Sequence, residues 1–434
     1  MNFKYNYLFL YMKNTFSIKT YGCASNIADS GFVKQLLLNN GFKESETPEF
    51  MLINTCTVKG PTVSKIKDYI KKQVLQKENI IILGCLPCEE RTVKEFEKYS
   101  IVNSYNLDSI FDVIKQIKRT KKAVHLLNSK YFDKTKYYYT AENIAIVQPL
   151  IGCLGNCTFC KTRLAKPMYY SFPLKNILDR IDDYIKQGVK EIWISSEDNA
   201  AYGKDTKLSY INLLKAIENK FKGKAMFRFG MSNPWLIKNN LNELILFFKK
   251  TKSFYKFLHI PIQSASSDVL KRMSRPYNER QIERIFSELR KTFSYKELTI
   301  ATDSIVGFPL ETKKDFDKTE EFAKKHDILI NNVSQFWPMS FTPAQKMKQL
   351  PTEIKKERSA ILSCISRQEG KRLLKSFIGK KINVYFDDVD KNGNYLARTH
   401  NYISVILKKP KIAPKLGVWK EYTVKAVESF HLII

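Results

Sequence analysis

Residues 152–160 read Gly152-Cys153-Leu154-Gly155-Asn156-Cys157-Thr158-Phe159-Cys160, and they follow the apolar run Ile144 to Leu150. Three thiols at intervals of four and three, in the loop after a strand, can wrap one metal cluster. They are one ligand short of what a four-iron cubane needs, so one iron stays open to bind something else. Cys-rich loops also build zinc knuckles, but a structural zinc site usually finds its fourth ligand nearby. Neither His nor Cys occurs from Lys161 to Ala200.

Working outward from this loop, a strand-then-helix rhythm sets the fold. Strands are expected at Ile144 to Leu150, Glu191 to Ser195, Met226 to Gly230, Phe257 to Ile262, Leu298 to Val306 and Ile328 to Phe336. Helical patterns separate them; after Pro173, for example, Leu174, Ile177, Leu178, Ile181 and Ile185 fall on one stripe. About six βα units over residues 140–370 make a (βα)6 partial barrel. Upstream, residues 14–120 alternate in the same way: strands to Thr20, at Phe50 to Ile53 and at Ile80 to Leu83, with helices near Asn26 to Leu38, Thr62 to Leu75, Glu89 to Tyr99 and Leu107 to Ile117. That is an open parallel, Rossmann-like α/β domain. Cys23, Cys56 and Cys85 each follow one of its strands. The carboxyl ends of parallel strands share one edge, so the three can converge despite separations of 33 and 29 residues. Burial of each as a small apolar side chain is the alternative. Cys88, past Pro87, is not expected to be a ligand, and Cys364 reads as a core residue.

Residues 121–139 are basic, rich in Tyr and poor in pattern, as in an interdomain linker. Residues 371–434 switch to extended stretches such as Lys381 to Phe386 and Tyr422 to Val427, with the turn pair Asn392-Gly393. A small OB-like β-barrel fits. It holds 13 Lys and Arg against 5 Asp and Glu, with Tyr385, Tyr395, Tyr402 and Trp419 interleaved, a pattern suited to looped RNA.

The whole chain, 434 residues and 44% hydrophobic, carries 73 Lys and Arg against 43 Asp and Glu, a net charge of +30. Such an excess points to a polyanionic partner, with nucleic acid first; a Lys-rich genome bias is the bland alternative. Eight cysteines in a basic chain of this length do not read as a secreted disulfide framework. Tyr5 to Met12 is too short to span a bilayer and precedes no small-residue cleavage site. The expectation is a cytoplasmic protein with no membrane segment, in which residues 1–11 are a mis-assigned start or a loose arm.

The CxxxCxxC loop after the first barrel strand resembles the signature of the radical-SAM superfamily. In that superfamily the open iron of a [4Fe-4S] cluster binds S-adenosylmethionine, and an electron from the cluster breaks a carbon–sulfur bond to give a 5'-deoxyadenosyl radical. With a three-cysteine domain ahead and a β-barrel behind, nearly the whole chain from about Phe16 resembles the methylthiotransferases. The matching stretches are Thr20-Tyr21-Gly22-Cys23-Ala24-Ser25-Asn26, Ile53-Asn54-Thr55-Cys56-Thr57-Val58-Lys59-Gly60-Pro61-Thr62 and Leu83-Gly84-Cys85-Leu86-Pro87. The C-terminal barrel resembles the family's TRAM domain, including Ala397-Arg398-Thr399 with Tyr402, which makes Arg398 and Tyr402 candidate RNA contacts. The resemblance implies that Cys153, Cys157 and Cys160 hold the radical-generating cluster, while Cys23, Cys56 and Cys85 hold an auxiliary [4Fe-4S] cluster that carries sulfur. One S-adenosylmethionine would methylate that sulfur, and a second would supply the radical that opens an unactivated carbon–hydrogen bond.

Lys59-Gly60-Pro61 after Cys56 looks most like the archaeal and eukaryotic branch acting on N6-threonylcarbamoyladenosine beside the tRNA anticodon. Branches acting on isopentenyladenosine or on a ribosomal protein aspartate remain alternatives, as does an RNA-binding protein with structural metal sites. The expected partners are tRNA and an electron donor such as a flavodoxin or ferredoxin, and the expected state is a monomer. Glu197, within Trp193 to Gly203, and Gln263, within His259 to Ser264, stand at strand ends as candidate contacts to S-adenosylmethionine. His259 reads as a satisfied core histidine. Two stretches depart from the family pattern: Leu310 follows Val306-Gly307-Phe308-Pro309 where Gly is usual, and Pro338-Met339-Ser340-Phe341-Thr342-Pro343 replaces Pro-Arg-Pro-Gly-Thr-Pro, removing an Arg from the barrel mouth.

Overall fold

A computed structural model describes residues 14–57, 60–74, 79–88, 90–136, 144–428 and 430–434. Residues 1–11 and Lys59 lie outside the described residues. Contacts divide the chain into two compact units, the first holding residues 1–140, 151–153 and 161–172 and the second the remainder.

The first unit is built on a six-stranded parallel sheet. Its central strands β1 (Thr15–Thr20), β2 (Phe50–Thr55), β3 (Ile80–Gly84) and β4 (Ser100–Asn103) lie side by side, and the two-residue strands Lys43–Glu44 and His125–Leu126 close the edges. Runs such as Ile80-Ile81-Ile82-Leu83 are apolar throughout because both faces are covered. Phe50, Leu52, Ile81 and Leu83 pack on one side with Val33 and Leu37 of helix α1 (Ala24–Asn39). Ile53, Ile82 and Ile101 pack on the other with Ile66 and Ile70 of α2 (Gly60–Val74). Residues 121–136 of the expected linker join this sheet: His125–Leu126 pairs with β4, and Val124 and Phe132 enter the core. Lys134 reaches Asp29 of α1 at 2.5 Å, with side chains 6% and 1% exposed. A buried charge needs such a partner.

The second unit contains six parallel strands: β5 (Ile144–Val147), β6 (Glu191–Ile194), β7 (Met226–Phe229), β8 (Phe257–His259), β9 (Thr299–Val306) and β10 (Ile330–Gln335). They form two three-stranded parallel sheets, joined by a parallel bridge from Phe227 to Phe254 and by the Tyr255 N–H donating to the Phe227 carbonyl at 2.9 Å. This is the expected partial barrel. Helices follow the strands, and several are fixed at their starts by reciprocal side-chain caps, as at Ser209 with Asn212, Asn278 with Gln281 and Thr312 with Asp315. After the long helix Thr352–Lys375, a six-stranded sheet curls into a half-barrel, antiparallel except for one parallel pairing between Ser404–Leu407 and His431–Ile433. Among the described residues no helix is long and apolar enough to cross a membrane.

Where the half-barrel meets the core strands, the structure corrects one expectation. Tyr402 is 8% exposed; its ring lies 4.8 Å from that of Tyr255 and 5.0 Å from that of Phe257, beneath the Arg228 guanidinium at 5.3 Å. Arg398 donates to Asp387 at 3.1 Å and to Ser404, and stands 5.0 Å over the Tyr402 ring. Tyr402 is therefore not open to RNA and fastens the half-barrel to the core, whereas Arg398, its side chain 26% exposed, bonds within the half-barrel and braces Tyr402. Sequence showed their chemical character but not the face they occupy.

Glu191 sits in the same seam, accepting from Trp193 Nε1 at 2.7 Å and from the Tyr255 hydroxyl at 2.9 Å. Burial pushes its carboxyl from 4.5 up to about 6, although those two bonds oppose the rise. A raised acid pKa means the folded state keeps its proton to higher pH than the unfolded chain. Stability therefore falls as pH rises from 4.5 to 6, by about 2 kcal/mol in all. Glu191→Gln removes the ionisation and keeps a hydrogen-bonding side chain. It is expected to melt higher than the parent at pH 8, with the difference vanishing near pH 4.5; thermal unfolding across that range measures it.

Candidate active site at the strand ends

In the first unit, Cys23 caps α1 directly after β1, Cys56 follows β2 and Cys85 follows β3. The parallel register sets these three loops together: the Tyr21 N–H donates to the Asn54 carbonyl at 2.9 Å and the Cys85 N–H to the Thr55 carbonyl at 3.0 Å. Cys56 and Cys85 are each 6% exposed, whereas Cys23 is open. Burial pushes the Cys85 thiol well above its usual range; Lys166 opposes this, and the nearby Cys56 and Cys23 sulfurs reinforce it. The three thiols thus share one electrostatic neighbourhood.

Beneath them lies a polar floor that sequence reasoning had not assigned. Asn26 Nδ2 donates to Asn54 Oδ1 at 3.1 Å and to the Thr55 carbonyl at 2.9 Å, while Asn54 Nδ2 returns a bond to the Asn26 carbonyl at 2.8 Å. Cys23 Sγ reaches Asn26 Oδ1 at 3.3 Å. Gly84, at φ +90°, leaves space that a Cβ would fill at 2.3 Å from Asn54 Oδ1. Only glycine allows this close approach without displacing the floor.

The nonapeptide passes between units, with Cys153 in the first and Cys157 and Cys160 in the second. Within the second unit its tip is held tightly. The Thr158 N–H donates to the Met273 carbonyl at 3.1 Å, Thr158 Oγ1 to the Arg272 carbonyl at 2.8 Å, and the Ala344 N–H to the Thr158 carbonyl at 2.9 Å. Burial raises the Cys157 thiol, and the Arg275 guanidinium counters it. Arg275 also stands 5.5 Å from the centre of the Phe159 ring. Asp198, after β6, is buried; burial lifts its carboxyl to about 7, opposed by the Asn233 N–H donating to Oδ1 at 3.1 Å. Arg275 escaped the sequence reading because nothing local marks it; Asp198 lies in the stretch Trp193 to Gly203 already singled out, and the fold brings both to the cysteine loop.

Glu197 is half-buried on the loop after β6. Gln263 follows β8 at φ +67°, its N–H bonded to the Asp303 carbonyl at 2.8 Å and its carbonyl to the Ile305 N–H at 2.8 Å. Its backbone is locked and its side chain 8% exposed. His259 Nε2 lies 3.1 Å from Asp303 Oδ1, which accepts from Asn332 Nδ2 at 2.8 Å. The histidine faces Asp303 at ion-pair distance without a hydrogen bond of good geometry to Nε2, so it is not the satisfied core histidine that was expected, and it lies in a polar row crossing β8, β9 and β10. The two departures from the family's glycines share a feature: Leu310 and Phe341 hold φ +61° and +65°, the left-handed conformation that glycine adopts freely.

Among the described residues no three His, Cys, Asp or Glu side chains close on a point that one metal ion could occupy. Three per site, one open edge and a donor set free of His fit iron–sulfur cubanes.

Residues 147–323 match the Radical SAM superfamily, and residues 15–104 match the uncharacterized protein family UPF0004. The chain is 34% identical over 423 residues to the probable threonylcarbamoyladenosine tRNA methylthiotransferase of Pyrococcus horikoshii, covering 96% of this chain and 98% of the relative. It is 33% identical over 358 residues to the threonylcarbamoyladenosine tRNA methylthiotransferase of Homo sapiens, covering 80% of this chain and 61% of that one. Among solved structures, the radical S-adenosylmethionine methyltransferase TsrM of Kitasatospora setae superposes with a TM-score of 0.57 at 10% identity, covering 82% of this chain and 89% of that one. That likeness concerns the fold. Fold and strand-end cysteines together define a radical-SAM enzyme. The chain belongs to the methylthiotransferase family of that superfamily, which works with [4Fe-4S] clusters and S-adenosylmethionine.

Proposed function

We propose that this chain is a tRNA methylthiotransferase that converts N6-threonylcarbamoyladenosine beside the anticodon to its 2-methylthio derivative. The observation that carries the reading is the gathering of Cys23, Cys56 and Cys85 on one sheet edge, in a chain 34% identical to a relative named for that reaction. Cys153, Cys157 and Cys160 hold the radical-generating cluster, and Cys23, Cys56 and Cys85 the auxiliary one. When bound, the clusters and S-adenosylmethionine supply the electron, the radical and the sulfur that no side chain can provide.

The chain's own residues do the rest. Asn26 and Asn54 fix the three loops beneath the first triad, and Thr158 anchors the second cysteine loop. Glu197 and Gln263 orient S-adenosylmethionine from strand ends. Residues 14–120, with the strand and core residues of 121–136, form the auxiliary-cluster domain, 140–370 the radical domain and 371–434 the RNA-binding half-barrel, whose basic surface neutralises phosphates. The enzyme works as a cytoplasmic monomer and takes electrons from a flavodoxin- or ferredoxin-like protein.

Mass spectrometry of tRNA nucleosides from a strain lacking the gene tests the assignment. The 2-methylthio form is expected to vanish while its unmodified precursor accumulates. An unchanged nucleoside profile sinks the proposal, and loss of a methylthiolated isopentenyladenosine instead would move the substrate to another branch.

A further inference from the structure

Trp337 and Phe341 are 55% and 59% exposed on the loop that follows β10. The loop is well fixed. The Phe336 N–H donates to the Val306 carbonyl at 2.8 Å, and the Phe336 ring packs 4.9 Å from that of Phe308. Met339 is buried, Thr342 Oγ1 donates to its carbonyl at 2.7 Å, and the Phe341 N–H donates to Gln345 Oε1 at 3.1 Å. The far end is tied to the cysteine loop itself, through the bond from Ala344 to the Thr158 carbonyl between Cys157 and Cys160. Two large rings therefore stand at set positions on the rim of the reaction site.

Two large rings more than half exposed on a fixed loop beside the cysteine loop make an apolar surface of the kind that marks a binding site. Phe341 also bears the cost of a left-handed backbone at φ +65°. Lys346 and Lys348 follow on the same loop, both exposed. Aromatic faces interleaved with lysines suit unpaired nucleotides, which stack their bases on rings and set their phosphates beside cations. The net charge of +30 favours that polyanion over a protein partner.

We infer that Trp337 and Phe341 form a stacking platform for the unpaired nucleotides flanking the target adenosine, with Lys346 and Lys348 against the adjoining phosphates. The platform rests on the RNA substrate proposed above.

Binding of a fluorescent anticodon stem–loop carrying N6-threonylcarbamoyladenosine, followed by anisotropy with the full-length, cluster-loaded enzyme, tests it. Phe341→Gly removes the ring and relieves the backbone, so the loop retains its shape, and iron content checks the fold of each variant. Phe341→Gly and Trp337→Ala are each expected to weaken binding about tenfold, and Trp337→Tyr to restore it. Abasic sites beside the adenosine should weaken binding by the parent but not by the doubly substituted enzyme. Unchanged affinity in both single variants overturns the platform, as does an abasic penalty that persists in the double variant. So does a loss seen only in turnover driven by a protein reductant and absent with dithionite, because the rings would then dock the electron donor. Failure of the parent to methylthiolate the stem–loop counts against the substrate, whereas parent turnover with unchanged variant affinities counts against the platform alone.

Discussion

Cys23→Ala is expected to abolish methylthiolated product while reductive cleavage of S-adenosylmethionine continues, and Cys157→Ala to abolish both. The asymmetry follows from position. Cys23 belongs to the edge formed by β1, β2 and β3 and shares its neighbourhood with Cys56 and Cys85, while Cys157 stands in the loop anchored to Met273 and Ala344. Removing one thiolate from a three-ligand cubane leaves too few protein ligands to hold it, so each variant should lose one cluster and fall from about eight irons per chain to about four. Iron and sulfide assays, 5'-deoxyadenosine release and nucleoside analysis read the three consequences separately. Full product from Cys23→Ala would remove the auxiliary-cluster assignment. Deoxyadenosine at the parent rate from Cys157→Ala would remove the radical one.

The sequence exposed those strands and loops because parallel strands buried on both faces must be apolar along their length, as Ile80 to Leu83 are. It hid β4, since four residues after a short helix carry too little pattern to separate Ser100–Asn103 from what precedes them. It hid the strand His125–Leu126 for the same reason, and basic composition there suggested a linker although Val124 and Phe132 pack into the core. Site residues divide along a related line. Cysteines announce themselves by type and spacing. Asn26, Asn54, Asp198 and Arg275 act through partners distant in sequence, at separations such as the 28 residues between Asn26 and Asn54. Tyr402 shows the opposite failure: its type suits RNA, but the register of the half-barrel turns it inward against Tyr255 and Phe257. Leu310 and Phe341 looked like losses of glycine, yet the backbone retains the conformation that glycine would have adopted.

Gly152→Ala is expected to empty the radical site as thoroughly as loss of a cysteine, although it removes no ligand. Gly152 holds φ +84°, and a Cβ there would lie 2.1 Å from the Met168 carbonyl oxygen and 2.9 Å from the Tyr169 Cα. Both obstacles are backbone. Met168 has little freedom to retreat, because its carbonyl accepts from the Tyr105 hydroxyl at 2.6 Å and its N–H donates to the same oxygen at 3.1 Å, from a tyrosine with no exposed surface. The chain must therefore shift at Gly152, which displaces Cys153, the next residue and a proposed ligand of the radical-generating cluster. Iron should fall from about eight to about four per chain, and deoxyadenosine formation by about a hundredfold or more, since misplacement by about 1 Å already costs about that much. Gly188→Ala separates steric clash from backbone strain. Its φ is +91° and nothing lies within 4 Å of the added carbon, so it should cost only about 1–2 kcal/mol of stability and keep its iron. If Gly152→Ala retained eight irons and parental cleavage, Cys153 would not depend on the tight approach of Gly152 to Met168.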